Sequence, residues 1–166
     1  MGSLQSLPEL VAAAQSNAKA LEDRIAGNAT QTDGQGETTD RHAAIKALEL
    51  AAVDIHSVFE SRMQHHFKRG PFSRKLKALL LENGKADLAD RAYQSYLAIN
   101  VLKHGKGASY RELLNTRKAR FAVTPSDKIT TEGPDAELGL VDVTKPGFFD
   151  DLTATILEAI DFLEGK

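Results

Sequence analysis

Two residues one helical turn apart, Asn100 and His104, precede the short basic loop Gly105-Lys106-Gly107. They are the part of this chain best suited to chemistry. Imidazole is the side chain that can take and give a proton near neutral pH. Asn100, a turn back, is placed to orient the ring or to hydrogen-bond a phosphate or ribose oxygen. Lys103, Lys106 and Arg62 can stabilise negative charge developing at a phosphate. An imidazole among cations suits metal-free cleavage of RNA, in which the 2′-hydroxyl supplies the nucleophile. The same histidine could be structural, bonded to the last carbonyls of its helix. The alternatives differ in one way. A catalytic His104 must be reachable at a concave surface, whereas a structural one should be enclosed with both ring nitrogens bonded.

Other chemistries find less support. The chain has no cysteine, which excludes disulfides and thiolate metal sites. It contains no H-E-x-x-H and no Glu-x-x-His pair on a helix, so no metal centre is expected. His65 and His66 are adjacent and face different ways. No G-x-S-x-G elbow occurs. Lys106-Gly107-Ala108-Ser109 resembles part of a phosphate-binding loop but lacks the G-x-x-x-x-G-K-[ST] pattern. No cofactor is expected.

The element that must position these residues runs from Asp87 to His104. Apolar residues fall all round it, the mark of a helix at the centre of a domain. An unsatisfied buried polar group costs about 1–3 kcal/mol, so Asn100 and His104 on such a helix need partners or a purpose. Before it, Asp40 to about Lys68 reads as one long helix with the stripe Ile45, Leu48, Ala52, Ile55 and Phe59. Arg62 and His66 continue that face. Either the stripe has run past the edge of the core, or these two basic groups line a cleft beside the central helix. Gly70-Pro71 breaks the helix. Ser73 is expected to cap a third helix with Leu76, Leu79 and Leu80 inward, ending at Asn83-Gly84. Ser109-Tyr110-Arg111-Glu112 reads as a capping box opening a short helix to about Lys118. Phe121-Ala122-Val123 and residues 138–143 are strand candidates for a small hairpin. Thr144 with Pro146 then starts a last helix with the stripe Phe149, Leu152, Ile156, Ile160 and Leu163.

At the N-terminus, Leu7, Leu10, Val11, Ala14, Ala18, Leu21 and Ile25 repeat at helical spacing. The expected organisation is an N-terminal helix or arm over 1–27, a flexible loop over 28–39, and a helical domain over 40–166. The fold class is mainly α: a single bundle of four to five helices with a small β-hairpin before the C-terminal helix. The 166 residues, 42% hydrophobic and 27% charged, suit one soluble domain. No apolar run approaches the roughly 18 residues that span a bilayer. MGSLQSLPEL lacks the pattern of a signal peptide, so a cytoplasmic location is expected. Net charge is only −2, but it is segregated. Arg62–Lys77 holds six basic residues and no acid, and Lys103–Arg120 holds six with only Glu112. Such segments can present a positive field to an anionic partner.

At Asn100 and His104 the chain resembles the HEPN superfamily, small α-helical proteins of prokaryotic toxin–antitoxin and phage-defence systems. The long second helix, the short basic connector and the ending Asn-x-x-x-His-Gly carry the likeness. The family's motif is an Arg, a polar residue often Asn, three variable residues and His. Asn100 takes the polar position, His104 the histidine, and Ile99 stands where the family has Arg. The resemblance implies a metal-independent endoribonuclease whose two motifs meet across a homodimer. It also implies an antitoxin or nucleotidyltransferase as partner. Over roughly residues 41–166, INVLKHGKGASYRELL and LVDVTKPGFFDDLTATILEAIDFLE are similar to a group of uncharacterised bacterial proteins, which implies no known activity. The expected site is therefore His104 and Asn100 as catalytic residues, with Lys103, Lys106, Arg62 and His66 holding RNA. The competing expectation is a non-catalytic homodimeric interaction protein, in which Asn100 and His104 fix helix packing or a dimer seam.

Overall fold

The computed structural model of the chain describes residues 6–29, 34–116, 140–145 and 147–165. They are mainly helical: α1 (Leu7–Ala29), α2 (Gly34–Met63), a 3-10 turn (Gln64–His66), α3 (Phe72–Glu82), α4 (Ala86–His104), α5 (Ala108–Leu114) and α6 (Phe148–Glu164). The apolar stripes read from the sequence do form the core. Ile45, Leu48, Ala52, Ile55 and Phe59 of α2 are buried, as are Phe149, Leu152, Ile156, Ile160 and Leu163 of α6. Burying each side chain of this size stabilises by about 1.5–3 kcal/mol. Helix α4 is central: it packs on α2, α3, α5 and α6, and Leu97, Ala98 and Ile99 are almost wholly enclosed.

Helix α1, expected as an N-terminal helix or arm, packs along α2 and against α6. Its Leu7, Val11, Ala18, Leu21 and Ile25 join the same core. Gln15 of α1 donates to the Thr153 hydroxyl of α6 at 2.8 Å, and that hydroxyl donates in turn to the Phe149 carbonyl at 3.0 Å. Near the other end of α1, Arg24 reaches the Asp40 carboxylate of α2.

Several boundaries differ from those expected. The helices extend into the 28–39 loop, with α1 running to Ala29 and α2 starting at Gly34. At its other end α2 stops at Met63, and a tighter 3-10 turn carries the chain through His66. Ser73 is not a cap. Pro71 holds that position, and Ser73 is buried in the first turn of α3. Ser109 does not cap α5 either, because Gly107 does and the Ser109 hydroxyl accepts a bond from Asn100. Helix α5 ends at Leu114, and α6 starts at Phe148, after Gly147 with φ +86°. The first arm of the expected hairpin lies outside the described residues. Among the described residues of its second arm there is no strand: Leu140, Val141 and Val143 are buried in a turning segment in which Asp142 accepts the Thr144 N–H at 3.0 Å.

Candidate functional site

The end of α4 is set by Gly105, which is buried and adopts φ +73°, ψ −140°. That backbone is essentially restricted to glycine. Its N–H closes on the Val101 carbonyl at 2.8 Å, and Gly107 N–H bonds the Gly105 carbonyl at 2.8 Å. The helix therefore stops abruptly and presents Lys103, His104 and Lys106 to solvent, all three exposed. Among the described residues none forms a hydrogen bond with the His104 ring. The enclosed, doubly bonded histidine required by a structural role is not what this geometry provides. Asn100 is different. It is half-buried, and its Nδ2 donates to Ser109 Oγ at 3.2 Å, clamping α4 to the start of α5. Its carbonyl oxygen is the half of the amide left for other use. Ile99 is 1% exposed and faces the core. An arginine there would bury its guanidinium among aliphatic side chains, so the chain's own packing excludes a cation from that motif position.

Further back on α4, the face carrying Asn100 and His104 carries Tyr96 and Tyr93. The two rings stack with centroids 5.9 Å apart and planes 28° from parallel. Lys77 of α3 places its ammonium 4.1 Å from the Tyr93 ring centroid, a cation–π contact. Burial, then hydrogen bonding to Glu112 of α5 and its charge, push the Tyr93 phenol up to about 12 against the smaller opposing effect of Arg74. Arg74 and Lys75 of α3 and Arg111 of α5 are exposed. Of the basic segments seen in the sequence, Arg74, Lys75 and Lys77 thus lie on α3 and Arg111 on α5, while Arg117, Lys118 and Arg120 lie outside the described residues.

Sequence reasoning missed a pair on α2. His56 is 3% exposed, and its Nδ1 lies 3.0 Å from Glu60 Oε1. Burial alone would raise the Glu60 carboxyl. The hydrogen bond from His56, the His56 charge and the charge of Lys103 outweigh it and hold Glu60 below its ordinary value. Lys103 of α4 is thus near enough to Glu60 of α2 for its charge to be felt there. The signal available was the spacing of four between His56 and Glu60 beside the buried stripe. Arg62 is half-buried in the last turn of α2, two residues beyond Glu60, and its carbonyl lies 2.8 Å from His65 Nδ1.

His66 belongs elsewhere. It lines a cleft of about 790 Å³ with Leu79, Asn83, Lys85 and Leu88 of the α3–α4 corner and the last turns of α6. Lys85 and Leu88 mark the first turn of α4, whereas His104 ends it, roughly 24 Å of helix axis away. The structure therefore brings together Asn100, Lys103, His104 and Lys106 and leaves His66 out of that group. Among the described residues no cluster of three or more His, Asp or Glu could hold a metal ion, and no helix is long and apolar enough to cross a membrane. Comparison with protein-family models, curated proteins and solved structures finds no match to this chain.

Proposed function

We propose that this protein binds RNA with unpaired bases along the outer face of α4, and that His104 is the proton-transfer residue for metal-independent cleavage there. One observation supports the reading most. The stacked Tyr93–Tyr96 pair, with Lys77 and Arg74 beside Tyr93, leads along one helix to an exposed imidazole between two exposed lysines. Aromatic rings beside cations are what single-stranded nucleic acid requires: stacking is worth about 1–3 kcal/mol per base, and the backbone supplies the charge attraction. In cleavage, the 2′-oxygen forms a bond to the adjacent phosphorus as the bond to the 5′-oxygen breaks, leaving a cyclic phosphate. The 2′-hydroxyl loses a proton and the departing 5′-oxygen gains one. His104 serves one of these transfers, and the His104 of a second protomer, in a dimer of the HEPN kind, serves the other. Lys103 and Lys106 supply the positive charge that Ile99 does not.

A second reading has its own support. The bond from Asn100 to Ser109 commits half of the polar pair to packing, which fits a protein that binds without cutting. Both readings are tested with a fluorescently labelled single-stranded RNA in the presence of a chelator. The proposal expects binding that weakens on Tyr96→Ala and on Lys103→Gln with Lys106→Gln, and cutting that His104→Ala removes. Binding without cutting by the wild type supports the second reading. Failure to bind any of several RNAs rejects both forms of RNA recognition.

A further inference from the structure

The cleft at the opposite end of α4 is built for a different ligand. Its floor is apolar: Leu88 and Leu163 are buried, and Leu79 and Phe162 are partly covered. Its rim carries two opposite charges, Lys85 and Asp161, neither in an ion pair with any described residue. The other rim acid, Glu158, is already paired with Arg91. His66 Nε2 is buried here without a hydrogen-bond partner. A buried polar atom left so costs about 1–3 kcal/mol, which a ligand could offset. The helix ends reinforce the pattern. Helix α4 begins at this cleft, where its first N–H groups favour an anion, and α6 ends there, where its last carbonyls favour a cation.

We infer that this cleft binds a free α-amino acid with a large apolar side chain. Its carboxylate pairs with Lys85 at the start of α4, and its ammonium with Asp161 at the end of α6. Its side chain lies on Leu79, Leu88 and Phe162, and His66 Nε2 gains a partner at the polar end. A purely anionic molecule would face Asp161 unpaired, and a purely cationic one would face Lys85. An uncharged apolar one would leave His66 unsatisfied. A cleft of about 790 Å³ has room for an aromatic amino acid with solvent. This site is independent of RNA binding on the far half of α4.

The test is calorimetric titration of the full chain with L-phenylalanine, 3-phenylpropionate and phenethylamine. L-phenylalanine should bind, and each singly charged analogue should bind at least about tenfold more weakly, the effect of losing one charge-assisted hydrogen bond. Lys85→Gln should weaken L-phenylalanine and 3-phenylpropionate while sparing phenethylamine, and Asp161→Asn should do the reverse. Both positions are exposed, so these variants keep the fold, which circular dichroism checks. Binding should also shift the His66 ring resonances. No saturation by L-phenylalanine or L-leucine at millimolar concentration overturns the inference. So does equal affinity for phenethylamine, and so does binding that both variants leave unchanged.

Discussion

Replacing His104 by alanine separates a surface histidine from a structural one, and the structure sets the size of the effect. The ring is exposed and makes no hydrogen bond with a described residue. What it can contribute to stability is the attraction of a protonated ring to the C-terminal end of α4, about 0.3–1 kcal/mol at an exposed position. Alanine returns up to about 0.5 kcal/mol through its better helix propensity. The net loss should therefore be about 0.5 kcal/mol or less. For a chain of 166 residues that is a fall in Tm of about 2 °C at most. Asn100→Ala is the internal standard. It removes the 3.2 Å bond to Ser109 between two helices and should cost about 1 kcal/mol. Urea titrations of the three proteins, with equal m-values required, give both numbers on one scale. A loss above about 2 kcal/mol for His104→Ala would refute the reasoning, because only a bonded, enclosed imidazole could supply it. If the loss is small, any RNA cleavage that disappears in the variant is a loss of chemistry rather than of fold.

Three further outcomes follow from the same geometry. Gly105→Ala should destabilise by about 1–3 kcal/mol, since φ +73° with ψ −140° is closed to a residue with a Cβ; an unchanged melt would count against that turn. Glu60 is held below its ordinary value of 4.5, so its contribution is present above that pH and is lost as pH falls through the lower folded value. The denaturation midpoint of wild type should consequently fall more steeply below about pH 4.5 than that of Glu60→Gln, and parallel curves would contradict the His56–Glu60 bond. Tyr93, raised from 10.0 to about 12, contributes stability that is present below pH 10 and lost as pH rises toward 12. Phenolate absorbance should show a late step that Tyr93→Phe removes, and loss of a step near 10 instead would mean that the hydroxyl is neither buried nor bonded to Glu112.

The parts of the fold legible in the sequence are those in which one helix states its own environment. Ile45 to Phe59 and Phe149 to Leu163 recur at helical spacing, and every one of them is buried. The apolar circumference of α4 likewise announces a helix packed on several sides. The caps were misread for a physical reason. Ser73 and Ser109 have the right type and position, but a serine hydroxyl goes to whichever partner the tertiary structure offers, and Ser109 received Asn100. The 138–143 segment has strand composition, yet its described apolar residues Leu140, Val141 and Val143 reach the core without forming a strand among the described residues, with only an isolated bridge at Val141.

The candidate sites divide along the same line. Asn100, Lys103, His104 and Lys106 lie within seven residues, so their grouping was visible in the sequence. The tyrosine surface was not, because Lys77, Arg74 and Glu112, which turn the half-buried pair Tyr93 and Tyr96 into a charged aromatic surface, come from two other helices. The cleft at His66 had no local signal at all. It is assembled from the end of the 3-10 turn, the α3–α4 corner and the last turns of α6, segments separated by up to a hundred residues of chain. Helix α4 thus carries two unlike ends. One offers an exposed imidazole among cations, where a negative helix terminus favours positive side chains. The other offers free N–H groups beside an opposing helix terminus, where a molecule bearing both charges fits better than one bearing either. Polyanion binding at the first end should be salt-dependent, whereas amino-acid binding at the second should change little with ionic strength, because a zwitterion carries no net charge to screen. Titrations of RNA and of L-phenylalanine across one salt series would therefore read the two ends of α4 separately, and a common salt dependence would place both ligands on one surface.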